Sequence, residues 1–316
     1  VGGQLAVELV RRGQTVRVLR RGNSSLVGLA GLDVEDFIGD ILDRDAVMRA
    51  VEGCEVVYHV AAVSSYWRAR REQIYRVNVE GTRNVVDACR HAGVQRFIHT
   101  SSAAAIGLTR DGRPADEGTP FDPRLEQFAY GHSKYLAEQE VQRGVAQGLP
   151  AVIVNPAVVI GPGDHYMISG SIIVELARHA LPAVPPGGIC MADIDAVVAG
   201  HIAAAERGRV GERYILGGEN LTYREIAATV AEIVGRQGPR LTLPRWLLLP
   251  AADAVSAYSR FSTRPPVMSS DQIRLSVHNA FFSSEKARRE LDYPILPFRA
   301  AAARAYRWYA EHGYLK

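Results

Sequence analysis

Up to about Pro162 the sequence alternates short apolar runs with longer stretches of helical periodicity, and that alternation admits few folds. Strands are predicted near 15–19, 34–38, 56–60, 96–100 and 151–154, the apolar run at 96–99 reading as a buried one. Between them, 4–12 is predicted helical, with Leu5, Leu9 and Val10 as its apolar stripe and Gly13 as its stop. A helix over 73–92 places Ile74, Val77, Gly81, Val85 and Ala88 on one side, and another is predicted over 130–147. Strands that alternate with helices pair in parallel, so the expected fold is α/β, a doubly wound parallel sheet of the Rossmann type over 1–162. Beyond Gly161 the rhythm breaks into Pro- and Gly-rich stretches such as 181–188, as expected of a smaller, mainly substrate-binding region over 163–316 with some segments returning to the core. One later helix is well marked: Thr222 and Glu225 form a capping box, Ile226, Val230 and Ile233 its stripe, and Gly235 its end.

The start of the chain, Val1-Gly2-Gly3 leading into a helix and then the strand at 15–19, reads as the second half of a dinucleotide-binding unit. On that reading about ten further residues are expected upstream, a buried first strand and the rest of the glycine turn that receives a pyrophosphate. Cofactor binding is expected to be weak without them, and Gly2 is the glycine assigned to the cofactor.

Tyr130 and Lys134 stand four residues apart on the predicted helix and so share a face. A free phenol titrates near ~10, and a cation beside it stabilises phenolate and eases proton transfer. The strand at 96–100 ends in Thr100-Ser101-Ser102, small hydroxyl residues where a sheet would open, so that Ser102 faces Tyr130 across a cleft.

The chain has 316 residues, 47% hydrophobic and 22% charged, enough to bury a large core. A net charge of +3, with no basic stripe alternating with aromatics, gives nucleic-acid binding no support. Cys54, Cys89 and Cys190 are too few and too widely spaced for a metal cluster or a disulfide framework, which points to packing roles, a reducing compartment and a cytoplasmic location. No apolar run reaches the ~20 residues that span a bilayer. The segment 243–249 with 251–258 reads either as a helix over a substrate pocket or as one lying on a membrane surface.

These segments together carry a resemblance: 39–41, 58–62, 77–82, 100–102, 130–134, Asn155-Pro156 and 161–163 resemble, in order, an extended short-chain dehydrogenase/reductase. The type is that of the NAD-dependent epimerase/dehydratase and dihydroflavonol reductase-like proteins, and 211–222 is most similar to the hopanoid-associated sugar epimerase group. The resemblance implies hydride transfer to or from a small-molecule carbinol carbon, with Tyr130 as acid/base, Lys134 lowering its pKa and holding the nicotinamide ribose, and Ser102 polarising the substrate oxygen. It places Asp40 and Ile41 beside adenine, and Ala61 and Ala62 along the cofactor with Asn78 behind. Thr100 falls on the cofactor side, and Pro156 and Val158 face the nicotinamide. Asn155 would bond backbone or a substrate phosphate. Members of the family dimerise through the helices at 73–92 and 130–147, so a homodimer is expected.

At the end of the second strand, where an NAD enzyme places an acid on the ribose diol, stand Arg20 and Arg21, which suit a 2′-phosphate and favour NADP(H) over NAD(H). Gly107 falls where flavonoid-reducing members carry a substrate-binding Asn, which argues against a flavonoid. Asp193-Ile194-Asp195-Ala196 departs from the usual pattern and leaves Asp195 as the expected helix cap. Tyr66, Trp67, Tyr166 and Trp246 are candidate pocket aromatics, His132 is expected to be exposed, and His59 to be a satisfied strand histidine. Two other readings stay open, an epimerase or dehydratase that keeps one NAD bound, and a non-catalytic cofactor-sensing module; retention of Ser102, Tyr130 and Lys134 argues against the latter.

Overall fold

The computed structural model describes residues 1–25, 27–64, 70–109, 112–165, 167, 169–178, 181–261 and 268–315, without the side chains of 260 and 261. Its first half runs α1 (Gly2–Arg11), β1 (Arg17–Arg20), β2 (Glu35–Ile38), α2 (Arg44–Val51), β3 (Val56–His59), α3 (Arg71–Tyr75), α4 (Gly81–Ala92), β4 (Arg96–Thr100), α5 (Ala129–Ala146), β5 (Ala151–Pro156) and β6 (Val158–Ile160). The second half runs α6 (Ser171–Arg178), β7 (Ala183–Val184), β8 (Gly188–Asp193), α7 (Ile194–Arg207), β9 (Arg213–Leu216), β10 (Glu219–Thr222), α8 (Tyr223–Ile233), β11 (Leu241–Thr242), α9 (Arg245–Phe261), α10 (Ser270–Leu275), β12 (Asn279–Ala280), α11 (Glu285–Leu291) and α12 (Phe298–Glu311).

Each of the five predicted strands is present, and all of them pair in parallel. β3, β4, β5 and β9 form one sheet in that order, and β1 and β2 form a separate pair. Alternation along the strands divides the core: Phe97, Ala151 and Ile153 meet Val47, Val85, Val86 and Val141 of α2, α4 and α5. Ile98, Val152 and Val154 meet Val197 and Ala204 of α7, with Ala287 and Leu291 of α11. A sheet buried on both faces needs apolar residues at successive positions, which is why these strands read as continuous runs.

Residues after β5 build a second sheet on β8, paired in parallel with β6 and β12 and antiparallel with β10. α6, α8 and α12 close it around Ile173, Leu176, Met191, Val230, Phe298 and Tyr309. Both halves of the capping box at Thr222 and Glu225 are formed.

The helix predicted over 73–92 is interrupted. A π turn at Arg76–Glu80 separates α3 from α4 and carries Asn78, which is 1% exposed. The cap of α7 also differs from the expectation: Asp193, not Asp195, accepts from the backbone, through its Oδ1 from the N–H of Asp195 at 2.8 Å. Asp193 is buried and Asp195 exposed, so the buried carboxylate satisfies the helix end while Asp195 sits in the first turn.

Candidate active site

Every predicted site residue in 1–162 except Gly2, Asn78, Tyr130 and Lys134 lies at or just past the C-terminal end of a parallel strand. Arg20 ends β1 and Arg21 follows it, Asp40 and Ile41 follow β2, Ala61 and Ala62 follow β3, Thr100 ends β4 with Ser102 two residues beyond, and Pro156 ends β5 with Val158 two residues beyond, where β6 opens. In an open α/β sheet this is the edge where ligands bind. Gly2 opens α1 and is exposed.

Tyr130 and Lys134 lie on successive turns of α5 and reach this edge from the side. The Tyr130 phenol faces Ser102, the side chain that acts to lower its pKa. Lys134, one of three lysines in an arginine-rich sequence, is 2% exposed and donates from Nζ to the carbonyl of Thr100 at 2.6 Å. Burial lowers its pKa to about 8, partly offset by the charge of Glu138. Burial also raises the Tyr130 phenol above its ordinary value, with the nearby Ser102 side chain acting in the opposite direction. The expectation that Lys134 would draw the phenol down is therefore not what this geometry gives: the ammonium is directed at Thr100, and desolvation dominates at Tyr130.

Beneath the pair lies a network that the sequence reading missed. Glu138, 3% exposed, accepts from Ser101 Oγ at 2.5 Å and Asn155 Nδ2 at 2.6 Å through Oε1, and from Arg213 Nη1 at 3.2 Å through Oε2. Asn155 Nδ2 also donates to the Ser102 carbonyl at 3.0 Å, the backbone partner among its two expected ones. Arg213 extends the network outward, donating to the carbonyls of Glu117 and Thr119. The periodicity 130, 134, 138 on one helix face was the available signal.

Asn78 ties the loop after β3 to α5. Its Oδ1 accepts from Val63 N–H at 2.7 Å, and its Nδ2 donates to the Val63 carbonyl at 3.1 Å and to Ser133 Oγ at 2.9 Å. Thr100 Oγ1 meets His201 Nε2 at 3.0 Å, and His201 Nδ1 lies 2.7 Å from the Val197 carbonyl, so Nδ1 carries the proton and Nε2 accepts. His59 is buried and bonded to Thr82 at 2.9 Å, with its pKa lowered to about 3 by burial, as expected of a satisfied strand histidine. His132 differs from its expectation. It is partly buried, bonded to Tyr75 at 2.8 Å and stacked near Phe121 and Tyr135.

The two arginines after β1 are not equivalent. Arg20 donates to Asp36 at 2.5 Å and is mostly buried, whereas Arg21 is exposed and makes no ion pair among the described residues. Asp40 Oδ1 accepts from Leu42 N–H at 2.9 Å, which shapes the turn after β2. Trp246 stands 74% exposed, while Tyr66, Trp67 and Tyr166 lie outside the described residues. The set fits a nicotinamide dinucleotide: Arg21 just past β1 and Lys134 at the end of β4 are cations at C-terminal strand ends, and the buried Asn155 Oδ1 is an acceptor with no partner among the described residues. Among the described residues no group of three or more metal-ligating side chains converges.

The model of the NAD-dependent epimerase/dehydratase family matches residues 1–217. The chain belongs to that family. It is an NAD(P)-dependent enzyme of the extended short-chain dehydrogenase/reductase type. A Synechocystis sp. protein provisionally named a dihydroflavonol 4-reductase is 38% identical to it over 100% of this chain and 93% of its own. Sterol demethylase protein B of Methylococcus capsulatus is 35% identical over 99% of this chain and 96% of its own. The crystal structure of gox2253 superposes with a TM-score of 0.88 at 38% identity, covering 100% of this chain and 96% of that one. Within this family Gly107 has a local reason of its own: a Cβ there would lie 2.1 Å from the carbonyl oxygen of Pro120, so the backbone leaves no room for a side chain.

Proposed function

We propose that the protein is an NADP(H)-preferring reductase or dehydrogenase that interconverts a carbonyl and an alcohol on an apolar small molecule. The observation that carries this reading is Tyr130 facing Ser102 just past the end of β4, with the Lys134 ammonium buried at the Thr100 carbonyl. Two hydroxyls that face one another in this way can each hydrogen-bond a substrate oxygen placed between them. The nicotinamide supplies or accepts the hydride. Tyr130, kept protonated by burial, delivers its proton to the substrate oxygen in the reducing direction and recovers it in the other. Ser102 donates a second hydrogen bond to that oxygen as it gains negative charge. Lys134, charged at neutral pH and held by the Thr100 carbonyl, has N–H groups left that would bind the cofactor's ribose. Pro156 at the end of β5 and Val158 at the start of β6 would contact the nicotinamide, and residues 163–316 would supply most of the substrate-binding region.

Arg21 is the residue assigned to the 2′-phosphate, because Arg20 is already committed to Asp36. An apolar substrate is favoured by the likeness to a protein named for sterol demethylation. A homodimer through α4 and α5 and a cytoplasmic site of action complete the reading, the latter supported by three free cysteines.

Titration of NADPH and NADH by fluorescence, with the wild type and Arg21→Ala, tests it. NADPH binding at least about tenfold tighter, with the preference lost in the variant, is the expected result. Preference for NADH, or NAD that copurifies and does not exchange, overturns it in favour of nucleotide-sugar epimerisation by the same Tyr130.

A further inference from the structure

Among the described residues, α9 is a two-faced helix with only one face covered. Leu248, Ala252 and Val255, at helical spacing, pack on Ile273 and Val277 from α10 and its end, with Leu243 and Met268 at the margin. Of the thirteen exposed large hydrophobic residues among those described, five fall between 241 and 258. Trp246 is 74% exposed, Leu241 63% and Tyr258 54%, with Leu247 and Leu249 beside them, and Pro250, Ala254 and Ala257 continue the exposed surface. The one acid on α9, Asp253, is neutralised by Arg274. An apolar face of this extent on an otherwise satisfied helix marks an interaction surface.

Charge says what meets it. Arg240 precedes Leu241 and Arg245 precedes Trp246, both are exposed, and neither forms an ion pair among the described residues. Along the sequence 236–264 there are five arginines against one aspartate. A two-fold contact with a second copy centred on Trp246 would bring these arginines toward their own copies, at a Coulomb cost. An anionic lipid surface has the complementary charge, and it accepts Trp and Tyr at headgroup depth with leucines below them. No helix among the described residues is long and apolar enough to cross a membrane, so this contact would be peripheral.

We infer that α9 with Leu241 docks the protein on an anionic membrane, through Trp246, Leu247, Leu249 and Tyr258, with Arg240 and Arg245 on the headgroups. The surface stands on its own geometry. Only its use, the taking of an apolar substrate from lipid, rests on the function proposed above.

Co-sedimentation of the 316-residue chain with phosphatidylcholine vesicles, with and without 30% phosphatidylglycerol (about one lipid in three, so that anionic headgroups dominate the surface potential), tests this directly and needs no substrate or cofactor. Binding to the anionic vesicles at least about tenfold tighter than to the neutral ones, with a blue-shifted tryptophan spectrum, is expected. Trp246→Ser with Leu247→Ser should weaken binding to both vesicles about tenfold or more, and Arg240→Glu with Arg245→Glu should remove the anionic preference. These side chains are exposed, so unchanged thermal unfolding of the variants separates docking from folding. Absence of binding, or equal binding to both vesicles, overturns the inference. So does a dimer in solution that Trp246→Ser dissociates, since a second copy would then be the occupant. None of these outcomes bears on whether NADPH binds, so failure here and failure of the proposed reaction are distinguishable.

Discussion

Glu138 stands one helical turn beyond Lys134 on α5, equally buried, and its carboxylate is the charge that opposes the desolvation of the ammonium. The same carboxylate holds Ser101, Asn155 and Arg213, so it joins the helix that carries Tyr130 to the loop that carries Ser102. Glu138→Gln keeps the size and part of the hydrogen bonding but removes the charge. Lys134 should then titrate lower, and the alkaline loss of NADPH binding should move to lower pH than in the wild type, as read by cofactor fluorescence across a pH series. Arg213 is partly exposed and keeps its carbonyl partners, so the stability cost should stay near ~2 kcal/mol by urea unfolding, below that of a fully buried broken pair.

Why the sequence yielded Tyr130 and Lys134 but not Glu138 follows from the range of the forces involved. β4 and β5 were legible because burial on both faces demands apolar runs, and the Tyr130–Lys134 pair because i, i+4 spacing is a local property. A glutamate on a helix reads as a solvated face unless its partners are known, and here those partners lie 17 residues away at Asn155 and 75 away at Arg213. The π turn at 76–80 has no Pro or Gly inside it to announce it, and its Asn78 is held by a loop and a helix brought close only by the fold. His132 was read as exposed because nothing nearby in sequence covers it, whereas Tyr75, which bonds it, is 57 residues distant.

Gly107 is fixed by a backbone atom, not by a flexible neighbour. Pro120 cannot retreat as a side-chain tip would, so Gly107→Ala should destabilise the chain by about 3 kcal/mol in urea unfolding, and Gly107→Asn by at least as much. A substrate-contacting side chain at that position is therefore excluded on steric grounds, apart from any preference for substrate. A neutral Gly107→Ala would show that the 107–120 contact relaxes freely.

Asp193 caps α7 and also receives Arg304 from α12, Nη2 lying 2.8 Å from Oδ1 and 2.7 Å from Oδ2. The two functions separate by substitution. Asp193→Asn keeps an oxygen for the N–H of Asp195 but loses the ion pair, and should cost about 1 kcal/mol; Asp193→Ala loses both and should cost about 3 kcal/mol. Asp195→Ala, at an exposed side chain that the cap does not use, should cost less than ~0.5 kcal/mol. Equal losses for Asp193→Ala and Asp195→Ala would contradict this assignment.

Lys134 gives the fold a distinctive dependence on pH. Its pKa is lowered from 10.5 to about 8 on folding, so between those values the unfolded chain binds more protons than the native one. Stability then rises with pH across that window: the cost of burying the ammonium is fully present below about pH 8 and is relieved as pH climbs toward 10.5. Other groups titrate in the same range, so the wild type must be compared with Lys134→Met, which fills the same space without a charge and cancels the rest. The difference in unfolding free energy between the two, measured in urea at pH 7 and pH 9.5, should shift in favour of the wild type by about 2 kcal/mol at the higher pH. If the difference is flat, the ammonium is better solvated than its 2% exposure implies, through water or cofactor groups at the sheet edge. A shift in the opposite direction would mean that Glu138 and the Thr100 carbonyl outweigh desolvation, and Lys134 would then remain charged well above pH 8.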